Sequence, residues 1–251
     1  MSVEKTTALV TGASSGLGRE YCLQLAESCD LIIAVARRES LLLDLKNELR
    51  GKAEVHALVA DLTTVEGLGR TIEALRQQGP VNYLVNNAAM STYGYFSEQS
   101  IESQHDIVSL QINAVIALCR AVIPFMKQLG NGKIINVSSV ASFVPLPTVT
   151  VYGGCKAFLV SYSEALQMEL LNDGIKVQCL CPGFICREFN TIEAIKDFDS
   201  QGMPADQWME VATVVTSSLE ALDGDHVIFA PGEANLQACR EGAIRVLDQL
   251  G

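Results

Sequence analysis

The sequence lacks the features of several protein classes. No uninterrupted apolar run approaches the ~18 residues that span a bilayer, which argues against a membrane protein. The N-terminus has neither the apolar core nor the cleavage site of a signal peptide, so we expect a cytoplasmic protein. Basic residues (18) are fewer than acidic ones (29), and the net charge of -11 disfavours binding to nucleic acid.

The sequence also lacks a metal-binding pattern. None of its eight cysteines forms a C-x-x-C pair, and the histidines His56, His105 and His226 lie far apart. Cys179 and Cys181 alternate along an apolar run, as buried small hydrophobic side chains do. We therefore interpret these residues as structural and expect no metal.

What the sequence does contain is a regular alternation of strand-length apolar runs and amphipathic segments. The predicted strands are Thr7–Thr11, Leu31–Ala36, Val55–Ala60, Asn82–Asn86, Lys133–Ser138, Lys176–Cys181 and Val227–Phe229. The predicted helices are Leu17–Ser28, Ser40–Arg50, Val65–Gln78, Ile101–Leu129, Val151–Leu171, Ala205–Ala221 and Leu236–Leu250.

The early strands are continuously apolar, which is typical of parallel strands covered on both faces. The pattern predicts a doubly wound α/β fold with a mostly seven-stranded parallel sheet and helices on both faces. No linker divides the chain, so residues 1–251 are expected to form one domain. Its cofactor half would cover about 1–140, and its active site and substrate loop about 139–210. In such sheets, ligands bind beyond the carboxyl ends of the strands.

A glycine-rich segment lies at the carboxyl end of the first strand and is followed by a helix. Glycines let the backbone turn tightly and approach a pyrophosphate at the positive end of that helix. A glycine-rich turn without a ligand is the alternative. The predicted cofactor contacts of this segment are Gly12, Ser14, Ser15, Gly16, Leu17 and Gly18.

The end of the second strand bears on the choice between NAD and NADP. An NAD enzyme places a carboxylate there for the ribose hydroxyls, whereas this chain has Arg37 and Arg38. A guanidinium can pair with the 2′-phosphate of NADP through two hydrogen bonds. We therefore assign Arg37 to that phosphate and Arg38 to a stacking or auxiliary role. The alternative is a pair of solvated arginines at a helix start.

Four motifs, in order, resemble the short-chain dehydrogenase/reductase family. They are T-G-x-x-x-G-x-G from Thr11, Asn86-Asn87-Ala88-Ala89, Tyr152-x-x-x-Lys156 and Pro182-Gly183, and the resemblance spans about Thr6 to Ile185. It implies a Rossmann-type fold and an NADP(H)-dependent oxidoreductase. Such an enzyme would interconvert a carbonyl and an alcohol on a small substrate by hydride transfer.

Tyr152 and Lys156 are expected to share one face of a helix. A phenol with a pKa near 10 is a poor base, but a cation at ~4 Å with an effective dielectric of ~20 favours the phenolate by ~4 kcal/mol. Before the effect of burial opposes it, this attraction would lower the pKa of the tyrosine by ~3. The resemblance implies that Ser139 holds the substrate oxygen and that Asn113 holds a water leading to Lys156.

The resemblance implies further cofactor contacts. Asp61 resembles the partner of the adenine amino group, with Leu62 beside it, although Asp61 could instead cap a helix. The other implied contacts are Asn87, Ala88 and Ala89 at the nicotinamide ribose, and Pro182, Gly183 and Ile185 at the nicotinamide. Two residues depart from the family pattern: Ala89 replaces a glycine, and Arg187 stands where a threonine is usual.

The substrate is less defined. Apolar candidates for its pocket suggest a hydrophobic ketone or alcohol, although the same residues could pack a lid. They are Met90, Tyr93, Phe96, Phe143, Val144, Phe184, Met203 and Trp208. The resemblance also suggests a homodimer or homotetramer. Two alternative functions are a dinucleotide-binding sensor or scaffold without catalysis, and an enzyme of net dehydration or epimerisation.

Overall fold

A computed structural model describes residues 5–185 and 208–250. Its strands are β1 (Thr7–Thr11), β2 (Leu31–Ala36), β3 (Glu54–Val59), β4 (Tyr83–Asn86), β5 (Gly132–Val137), β6 (Ile175–Leu180), β7 (Phe184–Ile185), β8 (Trp208–Met209) and β9 (Ile228–Phe229). Its α-helices are α1 (Gly16–Leu25), α2 (Glu39–Glu48), α3 (Val65–Gln78), α4 (Ile101–Val108), α5 (Ala114–Leu129), α6 (Thr150–Leu170), α7 (Val211–Ala221) and α8 (Glu233–Asp248).

The described residues form a seven-stranded sheet with the order β3-β2-β1-β4-β5-β6-β9, and the paired strands are parallel. Strand order reverses between β1 and β4, which pair directly. This confirms the predicted Rossmann-type fold. It places the ends of β1 and β4 at the switch point where such sheets bind ligands.

Both faces of the sheet are covered, which explains the continuous apolar strands. Alternate residues of β1 and β2, such as Val10 and Ile32, pack with α1, α2 and α7. The intervening residues, such as Leu9 and Ile33, pack in a second core with α5 and α6. Because successive side chains of a strand point to opposite faces, every residue of these strands must be apolar or small.

The predicted helix Ile101–Leu129 is helical throughout but contains a π-helical turn, Ser109–Asn113, between α4 and α5. By length and mean hydropathy (1.8), this stretch could cross a membrane, contrary to our reading of the sequence. That reading considered uninterrupted apolar runs, whereas a mean tolerates interspersed polar residues. Leu118 and Val122 of the same stretch lie in the core of the sheet, and core helices meet the same criterion.

The C-terminal part differs from the prediction in its boundaries. α7 begins at Val211, and residues 205–207 of the predicted helix lie outside the described residues. α8 begins at Glu233, directly after Gly232, whose φ of +79° suits glycine. β7, in a stretch that we expected to be a loop, pairs with β8, which replaces the start of the predicted helix Ala205–Ala221. The residues between these strands, including Arg187 and Met203, lie outside the described part.

Candidate active site

The glycine loop after β1 is closely packed against the end of β4. The backbone N–H groups of Asn87 and Ala88 donate to Thr11 Oγ1 at 2.9 and 3.0 Å, and Asn87 Nδ2 donates to Thr11 O at 2.9 Å. A Cβ on Gly18 would lie 2.4 Å from both Asn87 Nδ2 and Gly12 O. The glycines therefore allow the loop and the β4 end to approach as closely as the predicted site requires.

The loop also presents a helix N-terminus. α1 begins at Gly16, and Ser15 at its N-cap makes no side-chain capping bond. An uncapped first turn directs backbone N–H groups outward, which suits a phosphate. The residues present therefore fit a dinucleotide pyrophosphate, with Leu17 buried in the core behind the loop.

Arg38 is the arginine that contacts the loop. Its Nη2 donates to Ser14 Oγ at 2.8 Å and to Ser15 Oγ at 2.7 Å. Arg37 is exposed and acts electrostatically on Asp61 instead. The structure thus places Arg38, and not Arg37, on the glycine loop, whereas our sequence interpretation assigned the phosphate to Arg37 and an auxiliary role to Arg38. Neighbouring residues at a strand end point in opposite directions, and the sequence does not show which points to the loop.

Asp61 accepts hydrogen bonds from within its own turn, and these bonds affect its pKa. Burial raises the pKa of Asp61. The N–H and the hydroxyl of Thr63 donate to its carboxylate at 3.0 and 2.8 Å, and these bonds, with the charge of Arg37, lower the pKa by more than burial raises it. The pKa of Asp61 therefore lies below its ordinary value. Thr64 is the N-cap of α3, so Asp61 does not cap this helix. Leu62 is buried in the core.

Tyr152 and Lys156 lie on α6 and face each other, since Lys156 Nζ is 5.3 Å from the centre of the Tyr152 ring. Lys156 is 2% exposed, and its Nζ donates to Val137 O at 2.8 Å. This bond ties α6 to the end of β5, directly before the predicted catalytic serine. The predicted pair is therefore brought together at the carboxyl edge of the sheet.

Ser139 joins this pair and Ser138 does not. Ser139 begins a 3₁₀ turn, Val140–Ser142, where its Oγ accepts from Ala141 N at 3.1 Å, and it also forms a hydrogen bond with Tyr152. Ser138 is buried, and its hydroxyl donates to Lys156 O at 2.8 Å. The alternation of side chains along the strand separates the two roles.

The electrostatics of the pair differ from the expectation. Burial raises the pKa of Tyr152, and the hydrogen bond with Ser139 only partly opposes this. Burial also lowers the pKa of Lys156 to about 8. The prediction of a lowered tyrosine pKa is wrong for this arrangement, because the effect of burial outweighs that of the hydrogen bond with Ser139. The phenol is therefore protonated at neutral pH.

Among the described residues, no hydrogen bond joins Asn113 to Tyr152, Lys156 or Ser139. It ends the π-helical turn, which packs against α6, and its side chain is exposed. Such turns occur frequently at functional sites. The sequence analysis missed Gln111 in the same turn, which is 1% exposed and donates to Met90 O at 2.9 Å. A glutamine within an apolar helix was the available signal.

The turn at Pro182 and Gly183 lies beside the loop that begins at Ser139, which we call the serine loop. Val140 N donates to Pro182 O at 3.0 Å, which links the two segments directly. Ile185 is buried in β7, one residue beyond Phe184, whose ring lies 5.6 Å from that of Trp208. Ala89, three residues after β4, is exposed.

A narrow recess adjoins Tyr152, with no enclosed space for a water molecule. Hydroxyl and amide side chains make up most of its lining, which differs from the apolar pocket that we expected. Its residues are Thr92, Gly94, Phe96, Gln99, Gln104, Thr148, Val149, Thr150 and Tyr152. Thr148 has a φ of +73°, and its carbonyl accepts from Gly94 N at 3.0 Å, so this wall is held in a strained backbone conformation.

The doubly wound sheet, the glycine loop and the grouped tyrosine, lysine and serine are the features of a dinucleotide-dependent oxidoreductase. The family model for short chain dehydrogenase matches residues 6–193. The chain therefore belongs to the short-chain dehydrogenase/reductase family.

Three similar proteins illustrate the family. A short-chain dehydrogenase from Sphingobium yanoikuyae, solved in complex with NADPH, is 32% identical with a TM-score of 0.84, covering 98% of this chain and 96% of that one. A bulky-bulky ketone specific alcohol dehydrogenase from Comamonas testosteroni is 28% identical with a TM-score of 0.81, covering 99% and 96%. A very-long-chain 3-oxoacyl-CoA reductase from Laccaria bicolor is 36% identical over 194 residues, which are 74% of this chain but 56% of that reductase.

Proposed function

We propose that this chain is an NADP(H)-dependent oxidoreductase that interconverts a small carbonyl compound and its alcohol. The observation that carries the proposal is the meeting of Tyr152, Lys156 and Ser139 at the sheet edge that also holds the glycine loop. Ligands of such sheets bind at this edge. The reacting groups and the dinucleotide would therefore lie side by side.

The bound nicotinamide would supply hydride in reduction and accept it in oxidation. Ser139 would hold the substrate oxygen by donating its hydroxyl hydrogen as negative charge develops there. Tyr152 would deliver a proton to the same oxygen. Because burial raises its pKa, the phenol is protonated at neutral pH and suits this role as an acid.

Lys156 would act from behind the tyrosine. Its buried ammonium would stabilise the phenolate that remains after proton transfer and donate to the nicotinamide ribose. A pKa of about 8 leaves the lysine mostly protonated at neutral pH. We retain Asn113 as the residue that positions the water through which the proton is restored.

Three observations support NADP(H) over NAD(H). Among the described residues, the end of β2 carries two arginines and no carboxylate, and Arg38 already lies on the hydroxyls of Ser14 and Ser15. These three side chains form a cationic, donor-rich pocket next to the first turn of α1. A similar chain was solved with NADPH. The remaining contacts would be those predicted from the sequence, with Asp61 at the adenine and Ile185 at the carboxamide.

The substrate class, assembly and location are proposed more broadly. We propose a small ketone, aldehyde or alcohol, with Tyr93, Phe143 and Phe184 supplying apolar contacts. A homodimer or homotetramer in the cytoplasm, without nucleic acid or membrane, is the proposed working state.

A cofactor and carbonyl panel tests the proposal. Purified protein would be mixed with NADPH or NADH and a series of ketones and aldehydes, and loss of the reduced nicotinamide would be followed by absorbance. We expect NADPH consumption in proportion to alcohol formed. Binding of NADPH without turnover across the panel would favour the sensor alternative, and product without net NADPH consumption would favour dehydration or epimerisation.

A further inference from the structure

The C-terminal helix α8 lies against two loops of the proposed active site. Its inner side carries Asn235, Cys239 and Gly242, whose spacing of four and three residues places them on one face. Cys239 is 6% exposed within the core, and Gly242 is buried. This face is therefore fixed to the body of the protein.

The first contact joins Asn235 to the turn at Pro182 and Gly183. Asn235 Nδ2 donates to Pro231 O at 2.8 Å and to Met209 Sδ at 3.2 Å, so the side-chain amide has a defined orientation. A Cβ on Gly183 would lie 2.1 Å from Asn235 Oδ1. The amide thus packs directly on the backbone of the turn, and a side chain at residue 183 would displace it.

The second contact joins α8 to the loop that begins at Ser139. A Cβ on Gly242 would lie 2.4 Å from Phe143 O, and Arg245 Nη2 donates to the same carbonyl at 3.3 Å. Phe143 N in turn donates to Val140 O at 3.0 Å and closes the turn that Ser139 starts. The helix backbone therefore touches the far end of the serine loop.

The two loops that α8 contacts are also joined to each other, since Val140 N donates to Pro182 O at 3.0 Å. Helix, serine loop and Pro182-Gly183 turn form a closed set of three contacts. Because packed backbones do not deform freely, each loop follows the part of α8 that it touches, the serine loop at Gly242 and the turn at Asn235.

We propose that α8 is the clamp that sets the active-site geometry, with Asn235 as a positioning residue for the dinucleotide turn and Gly242 as a positioning residue for Ser139. The catalytic part of this proposal rests on the proposed function. The geometric part does not, because it concerns how firmly α8 holds the two loops.

Gly242→Ala tests the serine side of the clamp. Its methyl group would meet backbone atoms of Phe143, so helix or loop must shift. We expect amide hydrogen exchange in residues 139–146 to rise about tenfold at 25 °C. We also expect kcat to fall about 10- to 100-fold, with the dissociation constant for NADPH unchanged within about twofold. The matched control is Gly69→Ala in α3, where nothing lies within 4 Å of the added atom.

Asn235→Ala tests the dinucleotide side and adds no atom, so it remains informative if Gly242→Ala fails to fold. We expect faster exchange in residues 181–185 and a rise of about tenfold in the dissociation constant for NADPH, with kcat at saturating NADPH within about threefold of wild type. Gln237→Ala is the control, because Gln237 is exposed on the outer side of the same helix and bonds only to Glu241 among the contacts described.

Each outcome decides one part of the proposal. Unchanged exchange in both loops of both variants would overturn the clamp. Faster exchange with unaltered kcat and NADPH binding would overturn its role in positioning. A uniform loss of kcat and affinity in both variants, without the expected split, would show general destabilisation and overturn the assignment of separate roles. A wild type that turns over no carbonyl would refute the proposed function, while exchange would still decide whether α8 holds the loops.

Discussion

Replacing Arg38 with alanine removes the guanidinium that bonds to Ser14 and Ser15 beside the glycine loop. We expect this guanidinium to bind the 2′-phosphate of NADP(H). A hydrogen bond to a charged group contributes about 1.5–3 kcal/mol. The loss of one such bond should therefore raise KM for NADPH about 10- to 100-fold. NADH has no 2′-phosphate, so its KM should change by less than about threefold.

Arg37→Ala is the matched control, since it removes an equal charge one residue away. Arg37 is exposed and acts on Asp61, so we expect a smaller rise in KM for NADPH, about two- to fivefold, from weaker long-range attraction. Arg38→Lys should lie between, because a lysine keeps the charge but loses the planar fork of donors. Initial rates with varied NADPH and NADH give all values.

Two results would refute this reasoning. If Arg37→Ala impaired NADPH use more than Arg38→Ala, the sequence-based assignment of the phosphate to Arg37 would be restored. If Arg38→Ala weakened NADPH and NADH equally, Arg38 would serve only to hold the glycine loop in shape.

Other predictions address the loop, the two serines and the lysine. Gly18→Ala should abolish measurable NADPH binding in fluorescence titrations, because its Cβ would lie 2.4 Å from a loop carbonyl; unimpaired binding would contradict the close packing. Ser139→Ala should lower kcat about 100- to 1,000-fold, whereas Ser138→Ala should keep the rate and lose about 1 kcal/mol of stability in urea unfolding. The reverse pattern would exchange their roles. The pKa of Lys156 is lowered to about 8 in the folded state from 10.5, so the unfolded chain binds more protons between these values. Wild type should therefore gain stability relative to Lys156→Met as pH rises from about 8 to 10.5, and a constant difference would contradict the burial effect.

The sheet was predictable because its strands carry a strong and unambiguous pattern. β1 and β2 agree with their predicted bounds to the residue, since both are bounded by polar or glycine-containing turns and buried on both faces. The short β7–β8 pair was not predictable. Two-residue strands have no period, and their pairing depends on distant segments of the chain.

In the site, the sequence predicted that Tyr152, Lys156 and Ser139 meet, but not how deeply each is buried. The spacing of Tyr152 and Lys156 indicated a shared helix face, and the structure confirms that they face each other. The direction of the tyrosine pKa was wrong, because burial depends on packing that spacing does not show. The contacts of Asn235 and Gly242 were missed for the same reason, since they join residues about 50 to 100 positions apart.

The Tyr152→Phe variant provides the most direct test of the central claim, that a protonated phenol held by Ser139 and Lys156 transfers the proton. Removing one hydroxyl leaves the ring and its packing in place. The measurement pairs kcat for a reducible carbonyl with the dissociation constant for NADPH. The account predicts NADPH affinity within about threefold of wild type and a kcat lowered at least about 1,000-fold. A kcat close to that of wild type would contradict it.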